Sequence, residues 1–248
     1  YHLLADSFNE MADRVEKTIA ILRRFAADAA HELQTPLTAL RTNLELAKNE
    51  AADAQREYFL EASLEQTERM NQLAGNLLDL SRLETGSTND ETSLVNLNQL
   101  LQVSGEIYAS AAEQKGIDFA ISLPTETVSA WCKEKQIQRA LHNLLDNALK
   151  FTPAGGKVTL GMSLENNFIH LCVEDSGIGV DEEEIENLFQ RFHRGKNAAA
   201  YPGSGLGLAI VRSIAEGHRG GVEVKNLPGG GACFCLWFPP ASGSAKSE

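Results

Sequence analysis

The feature that most constrains the fold is one apolar stripe that runs through the first fifth of the chain. Leu4, Phe8, Met11, Val15, Ile19, Leu22, Ala26, Ala29, Leu33, Leu37, Leu40, Leu44 and Ala47 follow at steps of three and four, the spacing of a single narrow helix face. Consecutive four-residue steps at Val15–Ile19 and around Pro36 resemble stutters, which locally unwind a coiled coil. A helix of about 45 residues extends roughly 65 Å and is not stable without a partner for its stripe. A break near Glu50–Ala54 and a second helix through Met70, Leu73, Leu77 and Leu80 supply that partner. Two helices enclose a thin core, so the hairpin is expected to dimerise into a four-helix bundle. Pro36 removes a backbone hydrogen bond within the long helix, and a kink is expected there.

Composition changes sharply after this hairpin. Residues 1–93 hold two of the 20 glycines, one of the seven prolines and no Cys or Trp, whereas residues 94–248 hold the rest. A Gly- and Pro-poor segment suits long helices, and a Gly-rich one suits strands, turns and ligand loops. The net charge of −12 argues against a general nucleic-acid binder. No stretch approaches the run of about 18 apolar residues that spans a bilayer. The chain opens at Tyr1 without an initiator Met or a signal-peptide pattern, and is expected to be a soluble piece of something longer. Cys132, Cys172, Cys233 and Cys235 lack metal-ligand spacing and are expected to be small apolar residues on strands, in a reducing compartment.

The second part alternates helix and strand patterns. Helices are predicted at Leu97–Gln114, Lys133–Lys150 and about Leu206–Ala215, with a short acidic helix at Asp181–Leu188. Strands are predicted at Ile117–Leu123, Lys157–Leu164, Phe168–Glu174, Val222–Lys225 and Cys233–Phe238, the second and third joined at Glu165–Asn167. This pattern gives an α/β sandwich. Ala241–Glu248 carries no core residue and is expected to be a disordered tail.

Four groups of residues carry chemistry. His31 lies off the apolar stripe and is followed by Glu32; a neutral imidazole is nucleophilic, and an adjacent carboxylate can orient it and take its second ring proton. Asn143 and Asn147 are four apart on one helix face, with Lys150 one turn further. Amide oxygens suit Mg²⁺ held jointly with phosphate, and the lysine adds a point charge. Asp175-Ser176-Gly177-Ile178-Gly179 follows a strand, where an Asp can accept from an exocyclic amine such as adenine N6. Gly203-Ser204-Gly205-Leu206-Gly207-Leu208 opens a helix and offers free N–H groups at its positive end. Neither a Walker pattern nor a dinucleotide fingerprint accounts for these glycines.

In this order and spacing the groups resemble the boxes of sensor histidine kinases over about residues 20–239. His31-Glu32-Leu33-Gln34-Thr35-Pro36-Leu37 resembles the phosphoacceptor box, and Asn143 to Lys150 with Phe151-Thr152-Pro153 the N box. Asp175–Gly179 and Gly203–Gly207 resemble the two glycine boxes, and Leu188 to Arg194 the F box. Leu4 to Met11 resembles the last helix of a HAMP linker, which in that family follows a transmembrane segment. The resemblance implies a HAMP-like helix end (1–20), a dimerisation and histidine phosphotransfer domain (21–93), and a Bergerat-type catalytic ATP-binding domain (94–240). It implies ATP and Mg²⁺ as cofactors, a homodimer, and a response regulator receiver domain as partner. Membrane attachment would come only through a missing N-terminal segment, which places this part on the cytoplasmic side of a membrane sensor. Asp175 would recognise adenine and Asn143 and Asn147 would help hold Mg²⁺. Lys150 and Arg194 would lie near the phosphates, and residues 193–204 would form a mobile ATP lid with Phe192 at its base. Phe151, Gly177, Ile178, Gly179, Gly203, Gly205, Leu206, Gly207 and Leu208 complete the implied nucleotide site. Thr35, in the run Glu32-Leu33-Gln34-Thr35, matches members in which a Thr or Asn supports dephosphorylation of the regulator.

Gln34 departs from the more usual Arg after the phosphoacceptor, and Trp131-Cys132-Lys133 stands where many relatives have a Gly-Asp pair. Two other functions remain to be weighed. A Bergerat-fold ATPase of the gyrase, mismatch-repair or chaperone kind places a Glu where Asn143 stands, and an amide cannot serve as that general base. A non-catalytic dimeric scaffold would be expected to lack one of the boxes, and none is missing.

Overall fold

The computed structural model describes residues 2–85, 90–198, 201 and 203–240. The expected tail at 241–248, residues 86–89 and positions 199, 200 and 202 of the expected lid lie outside the described residues. The chain divides into two compact units, residues 1–77 and 78–248.

The first unit is a helical hairpin. Helix α1 runs His2–Asn49 with Pro36 inside it, so the proline does not end the helix. Thr35, Thr38 and Thr42 each donate a hydroxyl back to the carbonyl four residues earlier, a local bond that helix-interior threonines commonly make. A short turn follows, in which the Ala52 N–H donates to Glu50 Oε1 at 3.0 Å and Arg56 reaches the Glu50 carbonyl at 3.2 Å. Helix α2, Asp53–Thr85, starts on an acidic residue that suits the positive helix end. Ala47, Ser63 and Leu73 are buried within the unit. Much of the predicted stripe is not: Met11, Val15, Ile19, Leu22, Leu37 and Leu44 remain exposed.

The second unit is a two-layer α/β sandwich. Strand β1 (Ser93–Asn96) leads into helix α3 (Leu97–Gln114), and Asn96 caps it by accepting from the Gln99 N–H at 3.1 Å. Then come β2 (Asp118–Ser122), β3 (Ser129–Cys132), α4 (Glu134–Phe151), β4 (Lys157–Glu165), β5 (Phe168–Asp175), α5 (Gly207–Gly217), β6 (Gly221–Asn226) and β7 (Ala232–Phe238). The main sheet has the order β2-β4-β5-β7-β6, parallel only between β2 and β4. Alternation along the strands sends Leu160, Ile169, Leu171, Val173, Leu236 and Phe238 to the buried side, against α3, α4 and α5. The β4–β5 turn is Asn166-Asn167 with φ of 50° and 65°, the left-handed pair that a two-residue hairpin requires and that Asn tolerates.

Three expectations need correction. The acidic helix predicted at Asp181–Leu188 is only a 3-10 turn at Glu182–Glu184, started by Asp181 accepting from the Glu183 N–H. Like charges three and four residues apart, Glu183 and Glu182 with Glu186, oppose a longer helix, and Glu184 turns inward to accept the Lys196 N–H at 2.8 Å. A second sheet, β1 antiparallel to β3, was not anticipated; it buries Val95, Ala130 and Cys132 and turns Leu94 and Trp131 outward. The cysteines are not all free: Cys172 and Cys235 stand opposite each other on β5 and β7, Cα atoms 4.1 Å apart, and form a disulfide.

Candidate functional site

His31 is exposed on α1, Glu32 beside it is half-buried, and Thr35 is exposed one turn on. The Thr35 hydroxyl donates to the His31 carbonyl at 3.4 Å, which stacks the two side chains along one helix face. This arrangement leaves the imidazole accessible to a reacting group.

The remaining candidate residues gather around the C-terminal half of α4. That helix is amphipathic, with Ile137, Leu141, Leu144, Leu145 and Ala148 buried, so Asn143, Asn147 and Lys150 are left half-buried at its edge. Asn143 donates its amide to the Arg139 carbonyl at 2.9 Å, and its oxygen faces the second glycine loop. The second glycine loop packs directly on these residues: a methyl group at Gly203 would come 2.7 Å from Lys150 Nζ, and one at Gly207 would come 2.9 Å from Asn143 Oδ1. A side chain at either position would have to displace these groups. Gly205, between them, lies against the backbone of Phe192 and His193. Phe192 has a φ of 59°, uncommon for a bulky residue. Leu206 is fully buried, and Leu208 packs on the cluster of Leu188, Val224 and Ala232, so both anchor the loop through the core.

Asp175 ends β5 on the helix-facing side and is only 5% exposed. Its Oδ1 accepts the Gly177 N–H at 2.8 Å. Burial pushes its carboxyl upward, while the backbone N–H groups of Gly177 and Ala232 pull it down. Ile178 is exposed, and Gly179 takes a left-handed φ of 66° in the same turn. Lys150 sits over the Phe151 ring, 4.5 Å from its centre. Burial, and then the charge of Arg194, pull the Lys150 ammonium down to about 8. Arg194 donates to the carbonyls of Ala198 and Tyr201. The site therefore pairs a buried carboxylate and a glycine turn with two cations and two amide oxygens. That set can accept from an amine at one end and neutralise an anion at the other.

Several residues of this site carry no signal that singles them out in the sequence. Tyr201 stacks edge-on against Phe151 at 5.0 Å. Asn226, on β6, clamps the turn after Asp175 by exchanging two 2.8 Å bonds with the backbone of Val180. Asn197 donates to the Gly179 carbonyl at 2.8 Å and ties the expected lid to the first glycine turn. An aromatic residue among small ones at 198–204 was the one usable hint.

Known proteins share this arrangement. Residues 132–242 match the family described as histidine kinase-, DNA gyrase B- and HSP90-like ATPase, and residues 21–86 match the His kinase A (phospho-acceptor) domain. The chain is 32% identical over 241 residues to the signal transduction histidine-protein kinase BaeS of Escherichia coli (strain K12), spanning 95% of this chain and 50% of that protein. It is 34% identical over 251 residues to the histidine-protein kinase/phosphatase MprB of Mycolicibacterium paratuberculosis, spanning 96% and 47% respectively. The chain thus spans about half the length of these curated relatives. Among solved structures, histidine kinase AdeS of Acinetobacter baumannii shares the fold at a TM-score of 0.68 and 23% identity, covering 86% of this chain and 98% of that one. Full-length ShkA in complex with AMPPNP matches at a TM-score of 0.61 and 30% identity, covering 86% of this chain and 45% of that one. With a phospho-acceptor domain followed by an ATPase domain, and about a third of its residues shared with such kinases along nearly its whole length, the chain carries the domain pair of the sensor histidine kinases.

Proposed function

We propose that this chain transfers the γ-phosphoryl group of ATP to His31 and passes it on to an aspartate of a response regulator. The observation that carries the reading is the packing of the second glycine loop on α4, which sets Gly203 and Gly207 against Lys150 and Asn143. In this reading Asp175 accepts a hydrogen bond from the adenine amine, and Lys150 and Arg194 balance phosphate charge. The paired amides of Asn143 and Asn147 fit Mg²⁺ as hard oxygen ligands, and the ion would neutralise the phosphates there. A ring nitrogen of His31 attacks the γ-phosphorus, the bond to the bridging oxygen breaks, and ADP leaves. Glu32 takes the second ring proton. Asn143 favours transfer over hydrolysis, because an amide cannot deprotonate water.

The proposed domains are a HAMP-like helix end at 1–20, a phosphotransfer hairpin at 21–93 and a catalytic domain at 94–240. The exposed stripe residues of α1, with Leu60 and Leu64 of α2, support a homodimeric four-helix bundle. The regulator's receiver domain is the proposed phosphoryl acceptor, and Thr35 the proposed support for its dephosphorylation. Among the described residues no helix is long and apolar enough to cross a membrane; the HAMP resemblance supports attachment through a preceding segment.

Incubation with radiolabelled ATP tests the reading. Acid-labile label on the protein is expected, lost in His31→Gln with nucleotide binding retained. Asn147→Asp should lose self-labelling yet still be labelled by an intact catalytic domain. Persistent label on the His31 variant would overturn the assignment.

A further inference from the structure

The outer face of the main sheet carries a cluster that the nucleotide site does not use. Along β5, Val173 and Asp175 point to the helices, whereas Cys172 and Glu174 point the other way. On β7, Cys233 and Cys235 share that outer face: Cys235 stands opposite Cys172 and Cys233 opposite Glu174. The sulfurs of Cys172, Cys233 and Cys235 all lie within 4.8 Å of one another, and all three residues are half-buried. Two of them make the disulfide, but a disulfide needs no third sulfur. Cys233 Sγ lies 3.6 Å from Cys235 Sγ. Thiolates bound to one cation at about 2.3 Å in a tetrahedral arrangement stand about 3.8 Å apart, so this pair is already near ligating separation. Glu174 and Glu223, opposite Cys233 and Cys235 in the register, place carboxylates beside the sulfurs.

We propose that Cys172, Cys233 and Cys235, when reduced, form a three-thiolate site for a thiophilic d¹⁰ cation of the Zn²⁺ or Cu⁺ class, which the Cys172–Cys235 disulfide closes. Thiolate sulfur selects such cations over Mg²⁺ or Ca²⁺. A dithiol opens the site: it gives two electrons and two protons to the Cys172–Cys235 bond, which breaks to two thiols, and itself leaves as a disulfide. Cation binding then displaces the thiol protons to solvent. The third ligand, Cys172, comes from the neighbouring strand, so the full ligand set does not appear as one spacing in the sequence. Because β5 and β7 are locked in register, the ligands are held without a loop.

The test uses the whole chain, reduced by a phosphine without oxygen and titrated separately with Zn²⁺ and with Cu⁺. One equivalent of at least one cation should be retained through gel filtration, and the three thiols should resist alkylation when it is bound. Cys233→Ser leaves Cys172 and Cys235 able to pair, so its fold is not at stake; it should weaken retention by at least about tenfold, with nucleotide binding unchanged. Cys132→Ser, in the other sheet, should behave as the wild type. The proposal is overturned if the reduced chain retains neither cation, if Cys233→Ser binds as the wild type does, or if the oxidised chain binds as well as the reduced one.

Discussion

Nucleotide affinity should fall as pH rises through 8, because Lys150 loses its charge there. Desolvation against Phe151 and α4, followed by the Arg194 charge, holds this ammonium down to about 8 rather than at its ordinary 10.5. With a midpoint of about 8, roughly nine-tenths of the side chain is charged at pH 7 and roughly one-tenth at pH 9. If only the charged form binds phosphate, the dissociation constant for Mg-ADP should rise about five- to tenfold over that interval, the smaller figure allowing for solvent screening of a half-exposed group. Binding also restores the proton, so calorimetry at pH 8 in buffers of different ionisation enthalpy should register uptake of up to about half a proton per site. Lys150→Arg keeps its charge throughout and should flatten the profile. Lys150→Met should bind weakly at every pH, with no slope. Wild-type affinity that stays level from pH 7 to 9, or a slope that survives in Lys150→Met, would refute the reasoning.

Three further outcomes are expected. Thr35→Ala should preserve labelling of His31 but slow dephosphorylation of the phosphorylated regulator by about 10- to 100-fold, if the hydroxyl positions the attacking water; impaired labelling with unchanged phosphatase activity would make Thr35 structural. Gly177→Ala would place a methyl 2.4 Å from the Phe151 carbonyl oxygen, so chemical denaturation should show a loss of about 1–3 kcal/mol; an unchanged midpoint would contradict the close approach. Burial lowers His218, which accepts the Lys133 N–H at Nε2, and likewise His142. A lowered folded value means the unfolded chain binds more protons, so stability is complete above the ordinary 6.5 and declines as pH falls below it. The thermal midpoint should therefore drop between pH 6.5 and 5.5, less so in His218→Asn; an unchanged slope in that variant would clear His218 of the effect.

Local patterns in the sequence translated directly into structure, and non-local ones did not. Helix α3 occupies Leu97–Gln114 because its apolar spacing, its Asn96 cap and its end before Gly116 all agree. The Asn166-Asn167 turn was legible because few residues accept two left-handed conformations in succession. The four candidate groups stand out in the sequence because each is a short contiguous run. The β1–β3 sheet was not, since each strand is four residues long and more than thirty residues separate their starts. The Asn226 clamp on Val180 and the Cys172–Cys235 bridge escaped for the same reason: their partners are distant in the chain and meet only through the strand order. Glu184 looked like part of a charged surface helix until its carboxylate was seen to hold the Lys196 backbone.

Strand alternation would also let one pair of strands serve the two proposed chemistries without mixing them. In the proposed adenine-binding role the burial of Asp175 favours discrimination, because a carboxylate in water exchanges its partner freely, whereas one in a dry site makes each donor count. Such burial is costly, and the Gly177 and Ala232 N–H groups offset it only in part, which is why the carboxyl is still pushed upward. A further donor from a bound base would stabilise it more, so the apo site is biased toward a ligand that brings one. The cysteines, Cys172 three residues before Asp175 on β5 and Cys233 and Cys235 on the facing β7, point to the opposite side and are only half-buried, where a cation or a reductant can reach them. Backbone register couples the two faces: Cys233 is paired with Glu174, the neighbour of Asp175, and Gly231 lies against the Asp175 carbonyl at the start of β7. Stiffening the β5–β7 pair through its sulfurs would therefore act on the strand ends that hold Asp175 in place, through the hydrogen-bonded ladder and with no shared side chain.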